Sequence, residues 1–454
     1  MKAWFDALAD AVCAKPPRGA DGAGGIDRVT LSLSAEASDF VRFNSGAVRQ
    51  MTRVEQRQAT VTLISGQRRS AIATSLSGNT DDDLALLLAL RDALAADLAM
   101  VPPDPHLRLP HTVANTFRDD GERLDGLPPA EQIVAQVVEQ AAGLDLVGFY
   151  AAGPVIAAFA DSRGQRNWHR VRSFHFDWSL YCTGDPAVRD RAVKSIYAGA
   201  HWDAGEFRRR MGLAEIRLAL LEKPARRIAP GSYRTWLEPA AVAEMLGTLA
   251  WGGFGIKDRR TGTSSLMALV EGSAVLSPQF TLTEAGTGGI APAFTSTGHV
   301  RPDTVPLVAA GRSAQALVSP RSAAEFDVPA NADEGEYPGS LALAGGTLEG
   351  SAALAALDTG LWIGNLWYLN YSDRRTCRMT GMTRFASFWV ERGALVAPIE
   401  VMRFDDSFLR LFGDGLLSLS QAVELLPSSD TYGHRHLGSI SSPGALLADM
   451  RFTL

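Results

Sequence analysis

The strongest structural constraint in the sequence is a ten-residue stretch, 173–182, in which large apolar and polar side chains alternate strictly. In an extended strand successive side chains point to opposite faces, so this alternation separates two faces. One face carries Phe174, Phe176, Trp178, Leu180 and Cys182, and the other carries Ser173, His175, Asp177, Ser179 and Tyr181. The chain must therefore build a sheet with one face in a core and the other facing water or lining a groove.

Helical periodicity appears before and after this strand. The apolar spacing predicts helices at 4–12, 81–98, 129–142, 192–221 and 239–249. Pro239 occupies the favoured first position of the last helix, and Gly252 follows its end. From there to about residue 398, short apolar runs broken by Gly, Pro, Ser and Thr predict a mostly β second half.

A basic segment that contains two prolines, 223–231, is the best candidate for a domain boundary. It divides the chain into an N-terminal domain, 1–222, and a C-terminal domain, 231–454. With 454 residues, each part is long enough to bury its own core. The predicted class is α+β, with an N-terminal mixed α/β domain and a mostly antiparallel β C-terminal domain.

Charge and composition argue against several classes of protein. The 44 basic and 50 acidic residues give a net charge of −6 without a basic stripe, so nucleic-acid binding is not expected. No stretch reaches the ~20 apolar residues of a membrane span. The first residues lack the apolar core of a signal peptide, and the three cysteines lie far apart. We therefore expect a cytoplasmic protein that has no membrane span.

Two candidate nucleophiles stand out from the sequence. His175, Asp177 and Ser179 are the residue types of a catalytic triad, but neighbours on one strand face lie about 6.6 Å apart, too far for triad contacts. A solvated strand face is the better interpretation. Cys377 lies among Arg374, Arg375 and Arg378, and nearby cations lower a thiol pKa. A basic loop that merely contains a cysteine remains the favoured alternative.

His434 and His436 are spaced so that both imidazoles lie on one side of an extended segment. No Cys, Asp or Glu stands nearby at metal-ligand spacing, so a solvated loop is favoured over a metal site. An independent hydrolase that uses Cys377 or these histidines stays open as a hypothesis.

Several segments resemble the TldD/PmbA family, whose members are named as modulators of DNA gyrase and understood as subunits of a zinc-dependent protease. The most specific order is a G-L-x-I strand, a T-G turn and an E-x-G hairpin that ends in proline. The segments that carry the resemblance are Phe43–Val48, Asp161–Gly164, Ser264–Leu266, Glu271–Gly272, Val275–Pro278, Asp358–Ile363, Thr380–Gly381 and Val390–Pro398.

The resemblance also indicates where this chain departs from catalytic members, which carry H-E-x-x-x-H on a helix and a C-terminal cysteine as a third zinc ligand. The matching positions here hold Gly247, Thr248 and Gly252, and 428–454 contains no cysteine. The family's acidic D-x-E-G segment corresponds to Thr295–Gly298, which keeps only the glycine. We therefore expect no metal and no cofactor in this chain, and zinc only in a motif-bearing partner.

The resemblance is closest to the PmbA (TldE) type, which lacks the motif. It implies a non-catalytic subunit, inactive alone, that pairs with a motif-bearing TldD-like paralogue or with itself and acts on unfolded peptide. The weak peptide-contact candidates are Tyr371, Arg375, Arg378 and Gly381. The alternative is a stand-alone peptide-binding or scaffolding homodimer without protease activity.

Overall fold

The structure is a computed structural model that describes residues 1–14, 25–110, 112–120, 126–286 and 288–453. The α-helices within these residues are α1 Lys2–Val12, α2 Thr80–Asp97, α3 Ala130–Gln140, α4 Ala204–Leu221, α5 Pro239–Leu249, α6 Ile256–Arg260, α7 Met267–Val270, α8 Pro320–Phe326, α9 Ala353–Leu357 and α10 Phe408–Leu411. Among the described helices, none is long and apolar enough to cross a membrane.

The strands fall into two groups along the chain. The first group is β1 Arg28–Asn44, β2 Ala47–Ser65, β3 Arg68–Ser75, β4 Thr116–Asp119, β5 Asp145–Asp161, β6 Arg166–Tyr181 and β7 Ala192–Gly199. The second group is β8 Gly231–Leu237, β9 Leu282–Ala285, β10 Thr304–Ala309, β11 Arg312–Ser313, β12 Ser340–Leu343, β13 Gly360–Ile363, β14 Trp367–Asp373, β15 Arg378–Met382, β16 Ser387–Glu391, β17 Ala394–Pro398, β18 Arg403–Ser407, β19 Leu416–Pro427 and β20 Ser439–Phe452.

The first group forms one sheet in the order β3-β2-β1-β5-β6-β4. Both β4 and β7 pair with β6, but β4 is parallel to residues 167–170 and β7 is antiparallel to residues 174–181. Long β1 and β2 form a hairpin whose turn places Ser45 and Gly46 at positive φ. This turn requires a left-handed backbone, which glycine adopts at little cost.

The second group forms another sheet, centred on β20, which pairs with β8, β12, β18 and β19. Only the β12–β20 and β13–β8 pairings within it are parallel among the described strands. Helix α5 packs against β20 and begins directly after β8. The segment between the two sheets runs from the end of α4 to the start of β8, where the sequence predicts the domain boundary.

The apolar face of β6 lies in a core that both sheets share. Phe174, Phe176 and Trp178 pack there with α3 and α4, and the same cluster includes Trp236 and Trp362 of the second sheet. The Trp236 and Trp362 rings lie 5.6 Å apart. Burial of large aromatic surfaces on both sides holds the two sheets against each other.

The predicted α+β class, with a largely antiparallel N-terminal sheet and a sheet-rich C-terminal part, is confirmed. The prediction of one helical stretch over 192–221 is wrong in its first part, because residues 192–199 form strand β7 and the helix begins at Ala204. Pairing with the long edge of β6 outweighs the local pattern there. The opposite face of β6 is also drier than expected, since Ser173 and His175 are buried.

Candidate functional site

Helix α5 is the element that positions the candidate site. Glu238 is its N-cap in extended conformation, and Pro239 supplies a pre-set φ for the first turn. One face is fully buried in the core of the second sheet through Val242, Met245, Leu246 and other apolar residues. The opposite face lines an open cavity through Ala240, Ala243, Glu244 and Ala250, and Gly247 lies on the same helical face.

This cavity, called the α5 cavity below, has a volume of about 450 Å³. It lies between α5, the edge strand β7, and the connection from β19 to β20, so both sheets contribute to its walls. Its apolar lining residues are Ile196, Ala240, Ala243, Ala250, Pro338, Leu341, Leu426, Pro427 and Ile440. Such a mostly apolar concavity with a few polar groups is typical of ligand sites.

Glu244 places a carboxyl group in this apolar setting. The Leu366 backbone N–H donates a hydrogen bond of 2.6 Å to Glu244 Oε2. Burial nevertheless raises the pKa of Glu244 from its ordinary value of 4.5 to about 7, against the opposing effects of the Leu366 N–H and of Lys194. Glu244 is therefore able to gain or lose a proton near neutral pH.

Asp177 and Lys194 face the same cavity from β6 and β7. Asp177 Oδ2 lies 3.5 Å from Lys194 Nζ, and each side chain is 24% exposed. Burial raises the pKa of Asp177, and the Lys194 ammonium opposes the shift. Asp177, Glu244 and Lys194 thus bring two of the cavity's carboxyl groups and its ammonium group within electrostatic reach of one another.

A second cavity of about 510 Å³ continues from the first along the outer face of β5 and β6. It shares Asp177 and Lys194 with the α5 cavity. Its other walls include Arg42, Phe149 and Phe385. The two cavities together form a groove, called the seam groove below, along the junction of the sheets.

Residues 428–438, called the strap below, cover one side of the seam groove. Arg435 is 5% exposed and enters the first sheet. Its guanidinium donates 3.0 Å hydrogen bonds to the Gly153 carbonyl, the Ser173 carbonyl and Ser173 Oγ. Burial lowers the pKa of Arg435 to about 10, and Glu36 opposes this shift. Beside it, burial lowers the pKa of His175 to about 4, so the imidazole is neutral.

The three positions where the family resemblance expects zinc ligands, Gly247, Thr248 and Gly252, have different surroundings in this structure. Gly247 lies on the helical face that lines the α5 cavity, and a Cβ added there would lie 3.6 Å from Ile440 Cδ1 of the cavity wall. Thr248 is buried, and its hydroxyl donates to the Glu244 carbonyl at 3.0 Å. Gly252 has a φ of +72° and adjoins Arg374.

These residues do not fit a zinc ion, because glycine has no ligating side chain and the Thr248 hydroxyl is already engaged by its own helix. Across the described ranges, the structure contains no group of three His, Cys, Asp or Glu residues arranged to hold a metal. The two histidines of the strap, His434 and His436, lie with their rings 4.3 Å apart, and His436 Nε2 lies 3.9 Å from Asp430.

The structure does not support the less favoured alternative for Cys377, that of an activated thiol. Cys377 is fully buried, and burial raises its pKa to about 12 despite the hydrogen bond with Ser265 and the charge of Arg374. Desolvation of the thiolate outweighs the neighbouring cations that the sequence displays. Arg374 itself donates to the Trp251 and Thr263 carbonyls and not toward the sulfur.

The four predicted peptide-contact residues lie on or beside the β14–β15 hairpin, away from the linings of the α5 cavity and the seam groove. The Tyr371 hydroxyl lies 3.1 Å from the Thr248 carbonyl oxygen and 3.0 Å from Ser265 Oγ, beneath the end of α5. Arg378 pairs with Asp405 on β18, while Arg375 is exposed and Gly381 is buried. Their contact with peptide stays a prediction.

Sequence reasoning missed Glu244, Lys194 and Arg435. Glu244 could have been noticed as the one acidic residue within the apolar helix 239–249. Lys194 was hidden by the helical interpretation of 192–199. Arg435 gave no signal, since its partners are more than 200 residues away in sequence.

Comparison with known proteins adds a family and a fold. Residues 230–454 match the model of the PmbA/TldA metallopeptidase C-terminal domain. A search of curated protein sequences finds none that matches the chain. The structure is similar to TldE from Thermococcus kodakarensis, with a TM-score of 0.79 and 10% identity over 94% of this chain and 97% of that one.

Two further solved structures share the fold. One is a candidate modulator of a DNA gyrase from Thermotoga maritima, with a TM-score of 0.69 and 12% identity over 94% of this chain and 96% of that one. The other is a candidate modulator of DNA gyrase from Bacteroides thetaiotaomicron, with a TM-score of 0.73 and 13% identity over 100% of this chain and 98% of that one. With its C-terminal residues matched by the domain model and nearly its whole length matched in fold, the chain belongs to the PmbA/TldD family.

Proposed function

We propose that this chain is a subunit of a TldD/PmbA-type metalloprotease complex that binds unfolded peptide and does not itself hold the catalytic zinc. The observation that carries the proposal is Gly247. Where the family resemblance expects a zinc ligand, this helix offers a glycine on the face whose other residues, Ala243, Glu244 and Ala250, line the α5 cavity. The same site therefore has room for a ligand and lacks the ligands for the metal.

The open edge of β7 supports a role in binding extended backbone. In the described sheet β7 pairs with β6 alone. The outward Ala192 and Ile196 carbonyls already accept bonds from Ala386 N–H and Arg210. Since backbone direction alternates along a strand, the N–H and C=O of Lys194 point to the same edge. A peptide strand can pair there over a short length, with its side chains entering the seam groove.

An exposed aromatic surface supports the presence of a protein partner. Trp251, Trp367 and Tyr368 are 60%, 40% and 78% exposed, respectively, at the end of α5 and on β14. Strand β14 pairs only with β15 in the described sheet, which leaves its other edge open. Large exposed aromatics beside an open strand edge are typical of an interface.

The test is purification of the tagged chain from its native cell, followed by metal analysis and digestion of an unfolded peptide. We expect a motif-bearing paralogue to co-purify, and we expect peptide cleavage by the complex but not by the chain alone. Cleavage by the isolated chain with stoichiometric zinc would refute the non-catalytic role. Recovery of a stable homodimer without the paralogue would favour the stand-alone alternative.

A further inference from the structure

We infer that the α5 cavity is a subsite for the alkylammonium side chain of a lysine residue in the bound peptide. The inference rests on the proposed peptide role and adds a substrate preference to it. It follows from the shape of the cavity, the nature of its walls and the charges that face it.

The walls suit an unbranched hydrocarbon stem. Alanines from α5 form one side, and Ile196, Leu426 and Ile440 form the others. Lysine packs its four methylene groups along such apolar surface while its charged end reaches a polar group. Gly247 lies on the same face of α5 and adds no side chain there, next to Ile440 of the cavity wall.

Carboxyl groups outnumber ammonium groups among the charged side chains that line the cavity. Asp177 and Glu244 provide two carboxyl groups, and Lys194 provides one ammonium group. Asp430, from the strap, adds a further carboxyl at the outer wall, beside His436. A bound ammonium ion would supply the missing positive charge at a place where burial makes ionised carboxylates costly.

The contacts already made by Glu244 favour an ammonium group over a guanidinium group. The Leu366 N–H and the Asn365 side chain both bond the Glu244 carboxyl. An arginine needs two free oxygens in one plane for its bidentate contact, whereas a lysine acts as a point charge. The remaining acceptor capacity of Glu244 therefore suits lysine.

Binding of lysine should depend on pH. The pKa of Glu244 is about 7, so the ionised fraction rises about tenfold between pH 6 and pH 8. The pKa of Asp177 is shifted in the same direction, while Lys194 opposes both shifts. Affinity for an ammonium ligand should rise by about the same factor over that interval. An uncharged ligand of equal shape should show no such rise.

The test is fluorescence anisotropy with the full chain and a labelled unfolded peptide that contains one lysine. The comparison peptide carries norleucine, which keeps the methylene stem and removes the charge. We expect the lysine peptide to bind at least tenfold more tightly at pH 8. The double variant Asp177→Asn with Glu244→Gln should reduce the preference for the lysine peptide over the norleucine peptide to less than threefold. Glu139→Gln, which changes an exposed carboxyl group elsewhere, is the matched control and should keep the full preference.

Free n-pentylamine separates the subsite from the peptide role. Equal binding of the lysine and norleucine peptides would refute the subsite and leave the peptide role standing. Binding of pentylamine, lost in the double variant, without binding of either peptide would support the subsite and refute the peptide role. Failure of all three probes to bind would refute both. Loss of fold in the double variant is checked by its thermal melting, and Glu244→Gln alone then serves as the test.

Discussion

Replacement of Arg435 by methionine should separate the strap from the first sheet. Methionine keeps most of the apolar stem and removes the guanidinium, which makes three 3.0 Å hydrogen bonds to Gly153 and Ser173. Charge-assisted bonds contribute about 1.5 to 3 kcal/mol each, so about 4.5 to 9 kcal/mol is lost. The lowered pKa of Arg435, about 10 against 12.5, represents about 3 kcal/mol of burial cost that the variant no longer carries.

The balance predicts that Arg435→Met lowers the free energy of unfolding by about 4 kcal/mol. Urea unfolding followed by tryptophan fluorescence measures this value. Hydrogen exchange of residues 428–438 should rise at the same time, because the strap loses its anchor. The free energy of unfolding of Arg435→Lys should lie between those of Arg435→Met and the native chain, since an ammonium group cannot reproduce the planar set of donors of a guanidinium.

The exposed Arg227 offers the matched control, and Arg227→Met should change the free energy of unfolding by less than about 0.5 kcal/mol. The reasoning fails if Arg435→Met is within about 1 kcal/mol of the native protein and strap exchange is unchanged.

Three further predictions follow from single side chains. The pKa of Glu244 is raised in the folded state, so the protonated carboxyl stabilises the fold fully below about pH 4.5, and this stabilisation is lost as the pH rises through about 7. The free energy of unfolding from urea titrations should therefore be about 2 to 3 kcal/mol lower at pH 8 than at pH 5. Glu244→Gln should remove that difference. Cys377 should not react with a thiol reagent in the native protein at pH 8 but should react on unfolding, and rapid native labelling of this thiol would contradict its burial. Gly298→Ala should lower the stability by about 2 to 4 kcal/mol, because the backbone has a φ of +85° there and the new Cβ would collide with the Phe159 ring. The control Gly262→Ala, with a φ of +69° and open space around it, should lower the stability by only about 1 kcal/mol. Equal losses of stability in thermal melts would exclude the collision as the cause.

Secondary structure is predicted best from the sequence where the local residue pattern alone determines the conformation of an element. The strict alternation along 173–182 could only be a strand with a buried face, and Pro239 and the apolar spacing that follows place α5 at its observed bounds. The prediction of a helix at 192–199 is wrong because Val193, Ile196 and Tyr197 have helix-like spacing. Its conformation is decided by β6, which offers an unpaired edge that local pattern does not reveal.

The candidate site was harder to predict because its parts come from distant segments. Asp177, Lys194 and Glu244 meet only after both sheets have formed and packed. The polar face of β6, which sequence alternation assigned to water or a groove, is partly buried because Arg435 and the strap cover Ser173 and His175. Neither burial nor pKa can be derived from local spacing when the covering residues lie more than 200 positions away.

The position of β20 constrains how the protein is made. Strand β8 opens the second sheet, yet its antiparallel partner is β20, roughly 200 residues later, and closure of so long a loop is entropically costly and slow. A ribosome that has delivered β8 must still deliver β20 before the centre of that sheet exists. The first sheet, complete by β7, can be assembled much earlier during translation. Newly made chains should consequently spend time with all strands of the first sheet present but with its part of the shared core uncovered, and in that state they need protection from aggregation.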